Sequence, residues 1–372
     1  MSTEYHLTRP DDLLSPALIV FQPILERNLE AMLRLAGSPD RLRPHCKTHK
    51  MPAIARRMLE LGITRHKAAT IAEAEMLALS GATDIVLAYN PVGPNIGRVI
   101  AFRQRFPDVE MAVTADHPWP LAQLSAAARS AAVTVGVLMD VNPGRNRTGL
   151  PPGPEAADFY RRICDTPGIS PAGFHLYDGH FVESDLDSRK AAVAKAFAPA
   201  AALRDELERG GCPVPRVLCG GTPTFPVYAA RDEPWIELCP GTCTFHDASY
   251  GEKFPDLDMF TPAALLLTRV VSRPTPNRIT LDLGSKAIAA DPPMDQRAVF
   301  PQLPDATIVL HNEEHMVVET PDAERFQPGD WLLAIPRHVC PCSALYREAY
   351  VIAHGDLVDR WEVAARDRRL TV

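Results

Sequence analysis

Eight consecutive residues, Arg43-Pro44-His45-Cys46-Lys47-Thr48-His49-Lys50, hold two lysines and two histidines. A lysine that ends a strand and points into an enclosed mouth is partly desolvated. Its ammonium then loses a proton more readily, and the free amine can condense with a carbonyl. Lys47 is the candidate for that role. A solvated basic loop is the competing reading.

A second group of residues suits an anion. Cys219-Gly220-Gly221-Thr222-Pro223-Thr224 follows an apolar run and precedes a helix expected over Phe225 to Arg231. Paired glycines let backbone N–H groups approach a phosphate, and threonine hydroxyls add donors at the helix start. Pro240-Gly241-Thr242 offers another close backbone approach. Neither stretch has the spacing of a P-loop or a dinucleotide fingerprint, and a plain turn is the bland alternative. Arg145 and Arg147, in NPGRNRTG, either decorate a surface turn or fork onto a cofactor oxygen, a ring nitrogen or a substrate carboxylate.

A third group suits a metal. In His338-Val339-Cys340 an extended backbone would place imidazole and thiol on one face, because strand side chains alternate with period two. Nitrogen plus thiolate is half of a zinc site, and two protein ligands leave positions open for chemistry. A buried cysteine beside a hydrogen-bonded histidine is the alternative. Glu313, Glu314 and His315 are expected as outer support for that pair, unless they are a solvated acidic loop.

These residues sit among elements of two kinds. Strand-like runs at 16–21, 41–47, 66–70, 84–89, 110–114, 133–141, 171–177, 216–221 and 235–241 alternate with amphipathic helices. The helices include 24–37, 52–62, 72–81 and a long one over Leu186 to Arg209. In 52–62 the apolar Ile54, Met58 and Leu61 recur at helical spacing. Repeated strand–helix units imply a parallel sheet, and about eight of them fit a (β/α)8 TIM-like barrel, although an open doubly wound sheet fits the same pattern. From Thr261 the runs read as strands with turns, an all-β module. The expected division is a barrel over 15–255 and a β domain over 256–372 joined by residues 1–14. In a barrel the site lies at the C-terminal strand ends. Lys47, Tyr177, Gly221-Thr222 and Gly241-Thr242 all fall there.

The chain has 372 residues and a formal net charge of −7, which argues against a nucleic-acid or anionic-membrane surface. No uninterrupted apolar run is long enough to span a bilayer, and the first residues lack the pattern of a secretory signal. Eight scattered cysteines in such a chain predict reduced thiols and a cytoplasmic location rather than a disulfide framework.

Taken in order, SPALIVFQPILERNLEAM, RPHCKTHK, NRTG, YDGH, GGTPT, ELCPGT, LDLGSKA, EEH and PRHVCPCSALY resemble the family that joins D-threonine aldolase and eukaryotic-type D-serine dehydratase. That family is related to alanine racemase through a barrel and a β domain, the third fold type of pyridoxal-phosphate enzymes. The resemblance runs over nearly the whole chain. It implies pyridoxal 5'-phosphate carried on Lys47, its phosphate on Gly221, Thr222, Gly241 and Thr242, and its ring positioned by Arg147 and Tyr177. It also implies a divalent metal, zinc or manganese, on His338 and Cys340, and a homodimer in which the β domain of one subunit faces the barrel mouth of the other. The Tyr-x-Gly around Tyr177 is of the aldolase branch, whereas His-x-Cys is of the dehydratase branch. Cys342 stands where the family often has threonine.

The expected reaction is a lyase reaction of a D-3-hydroxy amino acid. The cofactor ring accepts electrons from the substrate α-carbon, and the metal acts on the β-hydroxyl. If His180 or a metal-bound hydroxide removes the hydroxyl proton, the α–β carbon bond breaks to give glycine and an aldehyde. If Lys47 instead removes the α-proton, hydroxide leaves and a keto acid and ammonia follow. The aldolase is the preferred reading. An amino-acid racemase needs no metal but a second base, and a non-catalytic cofactor carrier would lack the β domain.

Overall fold

Apolar runs buried on both faces dominate the middle of the chain, and they pair as such runs must. The structure, a computed structural model, describes residues 4–372, so the first three residues of the expected 1–14 contribution lie outside the described residues. After β1 (Ala17–Phe21) come β2 (Arg65–Ala68), β3 (Asp84–Leu87), β4 (Glu110–Ala115), β5 (Val135–Val141), β6 (Ile169–Leu176), β7 (Val217–Cys219) and β8 (Ile236–Leu238). Strands β2 to β8 form one parallel sheet in sequence order. Helices connect them, with side-chain caps where the sequence supplies an oxygen. Thr70 accepts the Glu73 N–H at 3.1 Å to start Ile71–Leu79, and Asp185 accepts the Ser188 N–H at 2.8 Å to start Leu186–Arg209.

The sheet closes on itself. Between β8 and β2 the Arg43 and His45 N–H groups donate to Leu238 and Pro240 carbonyls, each at 2.8 Å, and the Lys67 N–H donates to the Pro44 carbonyl at 3.0 Å. Only Leu42 and His45 make bridges here, so the strand expected over 41–47 is not a continuous ladder. Pro44 has no N–H to give, and Cys46–Thr48 already turns as a 3-10 helix. The barrel is nonetheless complete. Val86, Ala112, Leu138, Ala172 and Leu218, one from each of β3 to β7, cluster in its interior with Cys239, which follows β8.

The strand starts are clamped by ions. Arg43 is fully buried, with Nε 2.5 Å from Glu237 and its other nitrogens 2.7 and 2.8 Å from Asp84. Arg216 adds Asp84 at 3.1 Å and also binds Glu110. With that end sealed by paired charge, the opposite end is left for chemistry.

The second sheet is mixed. Its further strands are β9 (Ala264–Thr275), β10 (Arg278–Leu281), β11 (Ala298–Val299), β12 (Thr307–His311), β13 (Met316–Glu319), β14 (Trp331–Pro336), β15 (Glu348–Ala353) and β16 (Asp356–Glu362). The order is β12-β13-β10-β9-β1-β15-β16, with β14 on β9 and β11 on β14. Strand β1, grouped above with the barrel strands, runs antiparallel to β9 and parallel to β15 instead. All five of its residues are buried, and two-sided burial alone does not say which sheet a run joins. The expected all-β module also contains a helix, Val339–Leu345.

Contacts group the chain into two units. One comprises Leu33–Lys47, Ile54–Gly241 and Arg368–Val372, and the other runs to Met32 and includes Thr48–Ala53 and Thr242–Asp367. No helix among the described residues is long and apolar enough to cross a membrane.

Candidate functional site

Lys47 is half-buried in the Cys46–Thr48 turn that follows the closing segment, and its backbone N–H donates to His45 Nδ1 at 3.3 Å. Its Nζ lies 5.8 Å from the centre of the Tyr177 ring. The Arg147 guanidinium stacks on the same ring at 4.2 Å, with Arg145 farther out at 5.6 Å. Both arginines come from the exposed loop after β5, and Tyr177 follows β6. Lys47, 100 residues and more from the other two in sequence, thus meets an arginine and a tyrosine around one point at the C-terminal strand ends.

The expected phosphate loops also meet. The Gly241 N–H donates to Thr222 Oγ1 at 3.3 Å, which joins the loop after β8 to the loop after β7. Gly220 has φ of +74°, a left-handed turn that suits glycine, and it leads into Gly221 and Thr222. The helix beyond is Phe225–Ala229, shorter than expected. Thr242 is buried, and its hydroxyl lies 3.6 Å from Cys340 Sγ.

His180 is half-buried with its ring against Phe181, at 4.1 Å between centroids. Burial lowers its pKa and the nearby Arg145 charge lowers it further, so the neutral imidazole prevails. Its Nδ1 is shielded from water and makes no hydrogen bond among the described residues.

Three groups in the barrel escaped the reading of the sequence. Asp178 is buried, accepts the Gly221 N–H at 3.4 Å, and leaves Oδ2 unpartnered. Burial pushes its carboxyl up to about 6. Asp140 pairs with His175 Nδ1 at 2.8 Å, leaving the buried His175 Nε2 unpartnered. Burial works against ionising Asp140, yet the bond to His175 outweighs it and holds the carboxyl below its ordinary range. Lys67, on β2, is buried among these groups. The signal for Asp178 was its place in YDGH beside Tyr177. The other two offered none beyond a charged residue inside an apolar run.

The donor set fits pyridoxal phosphate. There is an amine for the aldehyde, a planar cation and an aromatic ring for the pyridine, and two glycine-threonine loops, joined by the Gly241–Thr222 bond, on the side where a phosphate would sit. Orphaned buried atoms on Asp178 and His175 await a polar partner.

His338 and Cys340 do meet, by a different route from the one expected. His338 is extended, but it caps the helix Val339–Leu345, so Cys340 sits in a helical turn and not one strand repeat along. The imidazole bonds Cys340, and its Nδ1 lies 2.5 Å from Asp291. The bond to Cys340 outweighs burial and, with Asp291, raises the imidazole pKa to about 9. Cys340 Sγ also lies 3.2 Å from the Thr48 hydroxyl. Nitrogen plus sulfur, with a carboxylate bracing the imidazole, suits a divalent metal such as zinc. That carboxylate is Asp291. Glu313 and Glu314 do not serve here, because both bind Lys286, at 2.8 and 3.0 Å, in exposed ion pairs. Cys342 accepts the Ala289 N–H at 3.2 Å, and burial raises its thiol to about 12, so it stays protonated.

Another donor group is already satisfied internally. His45, Cys46 and Glu73 bring one ligand atom each within 4.8 Å of one another. Cys46 donates to Glu73 at 3.5 Å, and the same carboxylate takes the Ala69 N–H at 2.6 Å. All eight cysteines are free thiols.

Residues 23–246 match the family model described as alanine racemase, N-terminal domain, and residues 263–352 match the putative serine dehydratase domain. The chain is 30% identical to D-threonine aldolase of Arthrobacter sp, over 95% of this chain and 92% of that one. It is 24% identical to D-threo-3-hydroxyaspartate dehydratase of Delftia sp. (strain HT23), over 94% and 96%. The crystal structure of D-threonine aldolase from Filomicrobium marinum superposes with a TM-score of 0.89 at 30% identity, covering 96% of this chain and 97% of that one. With its closed parallel barrel, its separate mixed sheet and these likenesses, the chain belongs to the alanine-racemase-like family of pyridoxal-phosphate-dependent lyases that includes D-threonine aldolase.

Proposed function

We propose that this enzyme is a pyridoxal-phosphate- and divalent-metal-dependent lyase that cleaves D-3-hydroxy amino acids, as a D-threonine aldolase does, to glycine and an aldehyde. The observation that carries the reading is the convergence of Lys47, Arg147 and Tyr177 at the strand ends that also join Thr222 to Gly241. When bound, the cofactor supplies an electron sink for charge developing at the substrate α-carbon. A metal on His338 and Cys340 supplies Lewis acidity toward a hydroxyl oxygen.

The chain's own residues do the rest. Lys47 would hold the cofactor through its amine. Arg147 and Tyr177 hold the pyridine ring, and Gly221, Thr222, Gly241 and Thr242 hold the phosphate. His180, neutral because burial and Arg145 disfavour its charge, takes the β-hydroxyl proton. The working state is taken to be a homodimer in the cytoplasm, with zinc or manganese as the metal. The eight free thiols support a reducing compartment.

A second reading has one observation in its favour. The serine dehydratase match covers the stretch that carries His338 and Cys340, and elimination to a keto acid and ammonia would use Lys47 as the base on the α-proton. Product analysis with D-threonine and D-serine, with and without zinc or manganese, separates the two. Glycine plus acetaldehyde from D-threonine establishes the aldolase. Formation of 2-oxobutanoate or pyruvate in its place establishes the dehydratase and overturns the first reading.

A further inference from the structure

Lys67 is a misfit in the barrel. It lies on β2 in register with Val86, which is itself in register with Ala112, and paired residues of parallel strands share a face. Val86 and Ala112 belong to the apolar cluster inside the barrel, so the Lys67 side chain enters the same interior. Only 4% of its surface is exposed. Among the described residues its Nζ makes no hydrogen bond and no ion pair. The groups that act on it through space are Cys239, Lys47, Asp178 and Asp140. Burial drives its pKa down.

An amine this buried, on which carboxylates act only through space and without a hydrogen bond, is poorly compensated. Desolvating a cation costs more than an unpaired site returns, and a methionine of similar length would fill the space without that cost. Such a group persists where something else satisfies it. Its surroundings show what kind of group that is. Lys67 bridges His45, two residues before Lys47, and Asp178, whose carboxylate acts on its charge, also holds the Gly221 N–H of the phosphate loop. An acceptor reaching this interior therefore comes from whatever Lys47 and Gly221 bind.

We propose that Lys67 is a further cofactor-binding residue, whose amine donates from the barrel interior to an oxyanion of pyridoxal phosphate. The assignment rests on the cofactor reading of Lys47 and gives the seat a second lysine, which binds without forming a covalent bond. The oxyanion is either the ring oxygen or the phosphate.

The test uses apoprotein of the wild type, Lys67→Met, Lys67→Arg and Lys47→Ala. Dissociation constants are measured for pyridoxine 5'-phosphate, which has no aldehyde and cannot bond covalently to Lys47, and for inorganic phosphate. Melting temperatures of the apoproteins are recorded alongside. Lys67→Met is expected to bind pyridoxine phosphate at least ~10-fold more weakly while its apoprotein melts about 2–4 °C higher, as relief of an unpaired buried amine requires. Lys67→Arg is expected to recover part of the affinity. A parallel loss of inorganic phosphate binding assigns the contact to the phosphate, and an unchanged value assigns it to the ring. Unchanged affinity for pyridoxine phosphate in Lys67→Met overturns the proposal. So does a fall in the apoprotein melting temperature, which marks Lys67 as structural. Borohydride trapping of pyridoxal phosphate tests the other reading separately, since a trap that survives Lys47→Ala refutes Lys47 as the carrier and leaves the pyridoxine phosphate result standing.

Discussion

The Arg147 guanidinium lies 4.2 Å from the centroid of the Tyr177 ring, although the two residues leave different strands of the barrel. A planar cation over an aromatic face is held by the ring quadrupole, and the stack fixes where both side chains present their polar edges. Lysine keeps the charge but loses the plane and the fork. Arg147→Lys is therefore expected to weaken cofactor retention about 10-fold with little change in thermal stability, since Arg147 is exposed. Equilibrium titration of apoenzyme with pyridoxal phosphate measures it, and wild-type affinity in the variant would remove Arg147 from the seat.

Gly179 packs against the hydroxyl end of the Tyr177 ring. A methyl group added at its Cα would lie 2.3 Å from the Tyr177 hydroxyl and 2.6 Å from its ring, far inside contact distance. Gly179→Ala must displace the tyrosine, because the clash involves the ring and not the end of a flexible chain. The expected result is a cofactor affinity reduced by at least ~10-fold and a loss of the Arg147 stack, in an enzyme that still folds. A crystal structure of the variant with Tyr177 unmoved would contradict this.

Asp178 makes stability depend on pH in a definite direction. Its carboxyl, normally near 3.8, is pushed up to about 6 by burial, so the folded chain binds a proton that the unfolded chain has already released. The stability this proton confers is complete below about 3.8 and disappears as the pH rises through about 6. The whole span amounts to about 3 kcal/mol. Asp178→Asn removes the titration. Chemical denaturation of the apoprotein between pH 4 and pH 7 is expected to show the wild type losing stability relative to the variant, with parallel curves disproving the assignment.

How much of this was legible depended on what each residue shows to its neighbours in sequence. Strands β3 to β6 read directly, because runs such as Val135–Val141 are apolar on both faces and end at turn residues. Lys47, Tyr177 and the two glycine loops stood out because they follow strand ends, where a barrel keeps its chemistry. The period-two argument expected His338 and Cys340 to meet along a strand, and they meet instead across the start of a helix. Asp291, which braces His338, is 47 residues away in sequence, and no local spacing points to it. Lys67 and His175 are polar residues inside strands, and nothing in RHKA or GFHL says which face they take until the barrel closes.

Asp291 also carries the last expectation. Its carboxylate lies 2.5 Å from His338 Nδ1, which fixes the ring and leaves the other nitrogen for a ligand position. A carboxylate behind a metal-bound imidazole raises ligand basicity and holds the orientation, and its removal typically costs 10–100-fold in metal affinity. Asp291→Asn is expected to lower zinc affinity by about that factor, whereas Glu313→Gln, which only loses an exposed partner of Lys286, should leave it unchanged. Competition with a chromophoric chelator reads both values without relying on turnover. Cys340→Ser should cost more than either, because thiolate is the stronger zinc donor. If Asp291→Asn and Cys340→Ser both bind zinc as the wild type does, His338 and Cys340 are not the metal pair, and the Lewis acid must be sought elsewhere in the chain.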